Sequence, residues 1–258
     1  MVTILFHETI FGPIHSRRLG TSLGVNLLPN DGKICSFDCI YCEAGYNAQG
    51  QGTTGVPRRE QVKKLLGAKL KAMAENKEPL DVITFSGNGE PTLHPNFKEI
   101  IHDTLILRDR FYPEVKVSVL TNSTFISNEH VVKALKMVDN NILKLDSANS
   151  KTMHLINVPR NNDVDPEGVI ADMKKFNGKC IIQTLFLRGT HNDSVIDNTT
   201  PAEIEALIEA YKEVNPIEVQ IYSIDRKTPE EKLEKVSIEE LNSIAEKIRE
   251  AGIKVQVN

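Results

Sequence analysis

The chain has 258 residues, of which 40% are hydrophobic and 26% charged, and a formal net charge of −4. A chain of this length and composition buries a substantial core unaided, which weighs against general disorder and against a disulfide-stapled miniprotein. Mild acidity argues against a broad basic face for nucleic acid, and no apolar run reaches the roughly 20 residues that span a bilayer.

In chain order, residues 1–11 hold a short apolar run broken by His7 and Glu8, with neither a basic leader nor a small-residue cleavage site, so a cytoplasmic protein is expected. A segment constrained by Gly12, Pro13 and Gly20 carries His15, Ser16, Arg17 and Arg18. A strand over 22–28 leads into a cysteine-rich loop. The spacing of Val62, Leu65, Leu66, Leu70 and Met73 predicts a helix over 58–76, which Pro79 stops. A strand over 80–85, a helix over 96–110, a strand over 115–120, a helix over 127–137 and a strand over 142–145 follow. A helix over 165–176, a strand over 180–187, a helix over 201–214 and a strand over 217–222 continue the alternation. Ser237 and Glu240 form a capping box for a last helix, Gly252 ends it, and 253–257 is an apolar tail.

Helices that alternate with near-continuously apolar strands indicate a parallel sheet covered by helices. Six such units fall short of the eight of a closed barrel, so the expected fold is an α/β partial (βα)6 TIM-like barrel with the cysteine loop after its first strand. One domain is expected over 1–258, with an N-terminal extension (1–21), a barrel core (22–223) and a C-terminal helix and tail (224–258). Ligands of parallel barrels gather at the C-terminal ends of the strands, so the residues after each strand matter most.

Three of the four cysteines, Cys35, Cys39 and Cys42, fall within eight residues. In a chain without an export signal this reads as metal ligation, and the 3,2 interval lets one loop present soft thiolates to iron. A structural zinc site would want a fourth ligand, and no paired Cys or His motif elsewhere supplies one. Cys180 opens an apolar strand, where a free cysteine behaves as a small hydrophobe.

The C-x3-C-x2-C pattern with Tyr41 immediately before its third cysteine resembles the signature of the radical S-adenosylmethionine superfamily. That resemblance implies a [4Fe-4S] cluster on Cys35, Cys39 and Cys42. It also implies an open fourth iron chelated by S-adenosylmethionine, with Tyr41 near the adenine. Gly87, Asn88, Gly89 and Glu90, after the second strand, resemble the family's glycine-glycine-glutamate element, which contacts the methionine amino group. Asn88 interrupts the usual adjacent glycines. Asn122 and Asp146, at the next strand ends, are candidates for the ribose and carboxylate, or are turn and cap residues. Segments 11–42, 86–91 and 222–229 resemble short proteins related to wyosine-base tRNA synthases, although no second cysteine set is present. A single-cluster chain also resembles glycyl-radical activating enzymes.

Arg17 and Arg18, as forked guanidinium donors, and Arg188, at the head of the polar stretch 188–193, are substrate candidates, with Asp225 and Arg226 weaker ones. The 188–193 stretch reads either as a loop closing over adenine or substrate or as a surface turn. The resemblance implies a flavodoxin or ferredoxin as electron donor, no membrane, and a substrate that is a small molecule, a peptide or a tRNA. Residues alone also admit an iron-sulfur electron carrier or a zinc module.

Overall fold

The computed structural model describes residues 4–16 and 19–258. Its elements run β1 (Ile10–Ser16), β2 (Gly20–Val25), α1 (Arg59–Glu75), β3 (Val82–Phe85), α2 (Phe97–Phe111), β4 (Lys116–Thr121), α3 (Glu129–Leu135) and β5 (Asn140–Lys144). They continue α4 (Ser150–Asn157), α5 (Pro166–Met173), β6 (Ile181–His191), β7 (Ser194–Asp197), α6 (Pro201–Val214), β8 (Glu218–Ser223), β9 (Leu233–Lys235), α7 (Ile238–Glu250) and β10 (Val255–Val257).

The expected strand-helix alternation is present because its signals are local. Thr200 caps α6 by accepting from the Glu203 amide, Pro201 stands in the first turn, and Asn215 ends the helix in the left-handed region. Asp165 and Ser237 cap α5 and α7 in the same way.

The sheet path is β1-β2-β3-β4-β5-β6-β8-β10, antiparallel only at β1-β2 and parallel from β2 to β10, and it does not close. The partial barrel is therefore present, with an added strand at each edge. The apolar tail is a seventh parallel strand, β10, registered on Val219–Ile221 of β8. The N-terminal extension contributes β1, a strand that the glycines and proline of 12–20 obscured. Helix α4 was also missed, although Asn149 caps it at the amides of Lys151 and Thr152.

The polar stretch 188–193 is neither a loop nor a lid. Strand β6 continues through it and turns at Asn192 and Asp193, both at positive φ, into β7 with His191 opposite Ser194. Two residues at positive φ between paired strands make a tight type I′ connection, for which Asn and Asp are favoured.

Side chains alternate along each strand. The outer set, including Ile83, Phe85, Val117, Val119, Leu143, Ile182, Val219 and Ile221, forms one core with the helices. The inner set is mixed: buried Val82, Ile142, Ile181 and Leu185 share it with polar side chains that interrupt the near-continuously apolar expectation. Ser22 and Thr84 share a 2.8 Å hydrogen bond, Asn140 donates to Ser118 at 3.0 Å, and Gln183 donates to Gln220 at 3.3 Å. Buried polar groups are tolerable when they satisfy one another across neighbouring strands.

Candidate functional site

The cysteine loop leaves the C-terminal end of β2 and is pinned at its entry by the turn after β3. The Ile34 amide donates to the Asn88 carbonyl and the Glu90 amide to the Ile34 carbonyl, both at 3.1 Å. This approach requires glycine: Gly89 has φ +135°, and a Cβ there would lie 1.9 Å from the Ile34 carbonyl oxygen. At Gly87, φ +142°, a Cβ would lie 2.5 Å from Asn26 Oδ1.

Asn88, the residue between them, is fully buried and spent on the chain. Its Nδ2 donates to the carbonyls of Phe6 (2.9 Å) and Pro29 (2.7 Å), while its Oδ1 accepts from the Phe6 amide (2.8 Å). Glu90 ties the end of β3 to that of β4. Its Oε1 accepts from the Thr92 amide and the hydroxyls of Thr92 and Thr121, and its Oε2 accepts from the Asn122 amide at 2.7 Å. Burial pushes its carboxyl above the usual range against the pull of those bonds.

Each deep thiol meets one asparagine. Asn122 Nδ2 lies 3.5 Å from Cys35 Sγ and 2.8 Å from Ser36 Oγ, and Asn157 Nδ2 lies 3.4 Å from Cys39 Sγ. Asn157 also donates to Asp146 Oδ2 at 2.7 Å, and the Tyr41 hydroxyl donates to the same oxygen at 2.5 Å. Asp146 Oδ1 accepts from the Leu185 amide at 2.9 Å. Thus Asp146 positions Tyr41, and through Asn157 Cys39, from the end of β5. Lys144 completes the group: Nζ donates to Tyr222 Oη at 2.7 Å, lies 3.4 Å from Asp146 Oδ1, and sits over the rings of Tyr41 and Tyr222 at 5.1 and 5.0 Å. Burial pulls the lysine down, but Asp146 and Tyr222 outweigh it and hold the ammonium well above its ordinary value. Lys144 falls within the strand expected over 142–145, where nothing gave it a role, and Asn157 fell outside every expected element.

Burial, with Glu90 next in weight, pushes the Cys35 thiol far up. Burial, Cys42 and Asp146 push Cys39 up to about 11 although Asn157 opposes them. Undisturbed, these two stay protonated, so loading metal displaces protons. Lys33 was missed altogether, since no local pattern marks it. Its side chain is 2% exposed, and Nζ donates to the Gly45 carbonyl at 2.6 Å. Burial pulls Lys33 down, but Cys42, Cys35 and Cys39 in their thiolate form, and Asp38, raise it above the ordinary lysine value.

A cleft of about 540 Å³ opens at the C-terminal ends of the strands. Tyr41, Cys42, Ser86 and Gly87 line one side and Tyr222, Ser223, Asp225 and Arg226 the other, with His15 and Ser16 of β1 at its margin. Arg226 donates to Glu43 at 2.7 Å. Arg188 is not in this cleft. Its guanidinium is held by Glu240 of α7 and by Thr199, because β6 carries it past the mouth into the hairpin. Arg17 and Arg18 lie outside the described residues. Cys180 is fully buried in the core, and burial pushes its thiol up to about 12.

Among the described residues, no three His, Cys, Asp or Glu side chains converge as ligands of a single ion would. A cubane asks for a wider set, because each thiolate binds a different iron, and three unbridged cysteines on one loop beside a cleft fit that need. Fold and site together define an open α/β barrel that presents a three-thiol loop at its ligand-binding end.

Residues 30–198 match the family profile of the Radical SAM superfamily. The chain belongs to that superfamily, whose cofactors are a [4Fe-4S] cluster and S-adenosylmethionine. It is 31% identical over 242 residues to a UPF0026 protein of Methanocaldococcus jannaschii, covering 91% of this chain and 69% of that one. It spans 35% of the length of one other curated relative and 66% of two more. Its fold is similar to that of a radical SAM methyltransferase from Sphaerobacter thermophilus (TM-score 0.68, 16% identity, 92% of this chain and 65% of that chain). It is also similar to TYW1 with a lysine-pyruvate adduct bound (TM-score 0.60, 15% identity, 90% of this chain and 75% of that chain). No helix among the described residues is long and apolar enough to cross a membrane.

Proposed function

We propose that the chain is an enzyme that cleaves S-adenosylmethionine reductively and uses the product to abstract hydrogen from a substrate. The observation that carries this reading is a three-cysteine loop pinned to the barrel, with Cys42 on the wall of a cleft that Ser86, Gly87 and Tyr222 also line. Held there, a [4Fe-4S] cluster would supply the electron for reductive cleavage of S-adenosylmethionine to methionine and a 5′-deoxyadenosyl radical competent to abstract hydrogen.

The chain's own residues bind and orient. Cys35, Cys39 and Cys42 would hold the cluster by three of its irons, beside the cleft that Cys42 lines. The backbone at Ser86 and Gly87 meets the methionine end, and Tyr41 meets the adenine. Asn122 and Asp146 act on the site through Ser36, Cys35 and Tyr41. Apolar walls from Ile4, Phe6, Leu185 and Ile224 exclude water and stray hydrogen donors. A flavodoxin or ferredoxin supplies the electron, and Arg226, on the cleft wall, takes the substrate-facing role in place of Arg188, alongside the candidates Arg17 and Arg18.

The test is anaerobic reconstitution with iron and sulfide, then reduction with S-adenosylmethionine and assay for 5′-deoxyadenosine. The wild type forms it and a triple alanine variant at the three cysteines does not. Equal yields from both, or none from fully loaded wild type, sink the reading in favour of an electron carrier or a zinc module. A deuterium-transfer screen over metabolite, peptide and tRNA pools then addresses the substrate.

A further inference from the structure

Lysine normally lays its stem along a surface and keeps its ammonium in water. Lys33 does the reverse: its side chain is 2% exposed and ends inside the cysteine loop. The contacts there compensate it incompletely. The Gly45 carbonyl accepts at 2.6 Å, but Asp38 Oδ1 stands at 3.4 Å. That oxygen also accepts from the amide (2.6 Å) and Nδ2 (2.8 Å) of Asn47. A buried charge so partnered is costly unless another anion completes the set. Its two partners lead directly to the ligand loop: the Gly45 amide donates to the Cys42 carbonyl at 2.9 Å, and Asn47, which shares Asp38 Oδ1, accepts from the Cys35 amide at 2.9 Å.

We propose that Lys33 is a positioning residue for charge: its buried ammonium is the counter-ion of the thiolate-bound cluster and raises the cluster's reduction potential. This inference rests on the cluster reading above. A [4Fe-4S] core with three thiolates is net negative and becomes one charge more negative on reduction, so a fixed cation stabilises the reduced form more than the oxidised one. The gain is largest where water is excluded, which is where this side chain ends.

The experiment is a dye-mediated, EPR-monitored redox titration of the anaerobically reconstituted full chain without S-adenosylmethionine, with iron and sulfide content as the check on loading. Lys33→Met and Lys33→Gln lower the ratio of reduced to oxidised cluster at a fixed applied potential by about tenfold. For one electron that is a shift of about 59 mV to more negative values. Lys33→Arg, which keeps the charge, stays near wild type. Asp38→Asn, which removes a competing anion, moves the ratio the other way and carries the test if the neutral variants fail to load. Loaded neutral variants that titrate with wild type overturn the proposal, as does an Asp38→Asn variant without an upward shift when those variants do not load. A wild type that assembles no cluster overturns the functional reading itself.

Discussion

Replacing Gly89 by alanine tests whether the turn after β3 truly holds the cysteine loop. The residue has φ +135°, and its added Cβ would lie 1.9 Å from a backbone oxygen, 2.6 Å from the Ile34 carbonyl carbon and 2.8 Å from Leu28 Cδ1. None of the first two atoms belongs to a side chain that can swing away. Backbone strain at such a φ costs about 1–3 kcal/mol for a residue with a side chain. Separating the strands also loses the two 3.1 Å bonds that link Ile34 to Asn88 and Glu90, each worth about 0.5–1.5 kcal/mol net. A total near 4 kcal/mol lowers the melting temperature of a chain this size by roughly 8–16 °C. Gly50→Ala is the control: it has φ +116° but nothing within 4 Å of the added atom, so it carries strain alone. Thermal unfolding of the apo chain by circular dichroism, followed by iron content after reconstitution, reads both consequences. If Gly89→Ala melts with Gly50→Ala and loads as much iron as wild type, the pinning argument is wrong.

Asn157→Ala leaves buried Asp146 without one of its donors and should cost about 1–3 kcal/mol in urea unfolding. An unchanged midpoint would show that Tyr41 and the Leu185 amide suffice. Arg59 and Lys63 hold the Asp103 carboxyl below its ordinary value of 3.8. A depressed folded value adds stability that is full above pH 3.8 and is lost as pH falls through the folded value. Asp103→Asn is therefore less stable than wild type near pH 6, and the gap narrows as urea midpoints are followed below pH 3.8. A gap constant with pH refutes the ion-pair account.

The apo thiols' high pKa values follow from burial, which no local pattern reports, whereas the cleft lies at the strand ends that parallel topology already pointed to. What residues 35–42 reported by themselves was a candidate ligand set, because three thiols on one loop need only short-range spacing. The strand-helix alternation was likewise legible, since caps such as Thr200 and Ser237 and the period of Leu66, Leu70 and Met73 act within a few residues.

The edges of the sheet were not legible. Strand β1 folds back on the next strand, with Phe11 opposite Gly24, through a glycine- and proline-rich stretch that hides its period, and β10 is set by a partner across α7, with Val257 opposite Ile221. Residue roles at the site divided in the same way. Asn88 looks like a ligand-facing interruption in sequence, yet folding spends it on Phe6 and Pro29, 82 and 59 residues away. Arg188 looks like a substrate arginine, yet the unbroken run of β6 delivers it to Glu240. Sequence by itself determined the fold class and the three thiols, because periodicity, capping and loop spacing are short-range. Tertiary structure decided which polar side chains face the cleft, and it buried the Lys33 ammonium inside the cysteine loop against Gly45 and Asp38, because burial and charge compensation depend on what packing brings alongside.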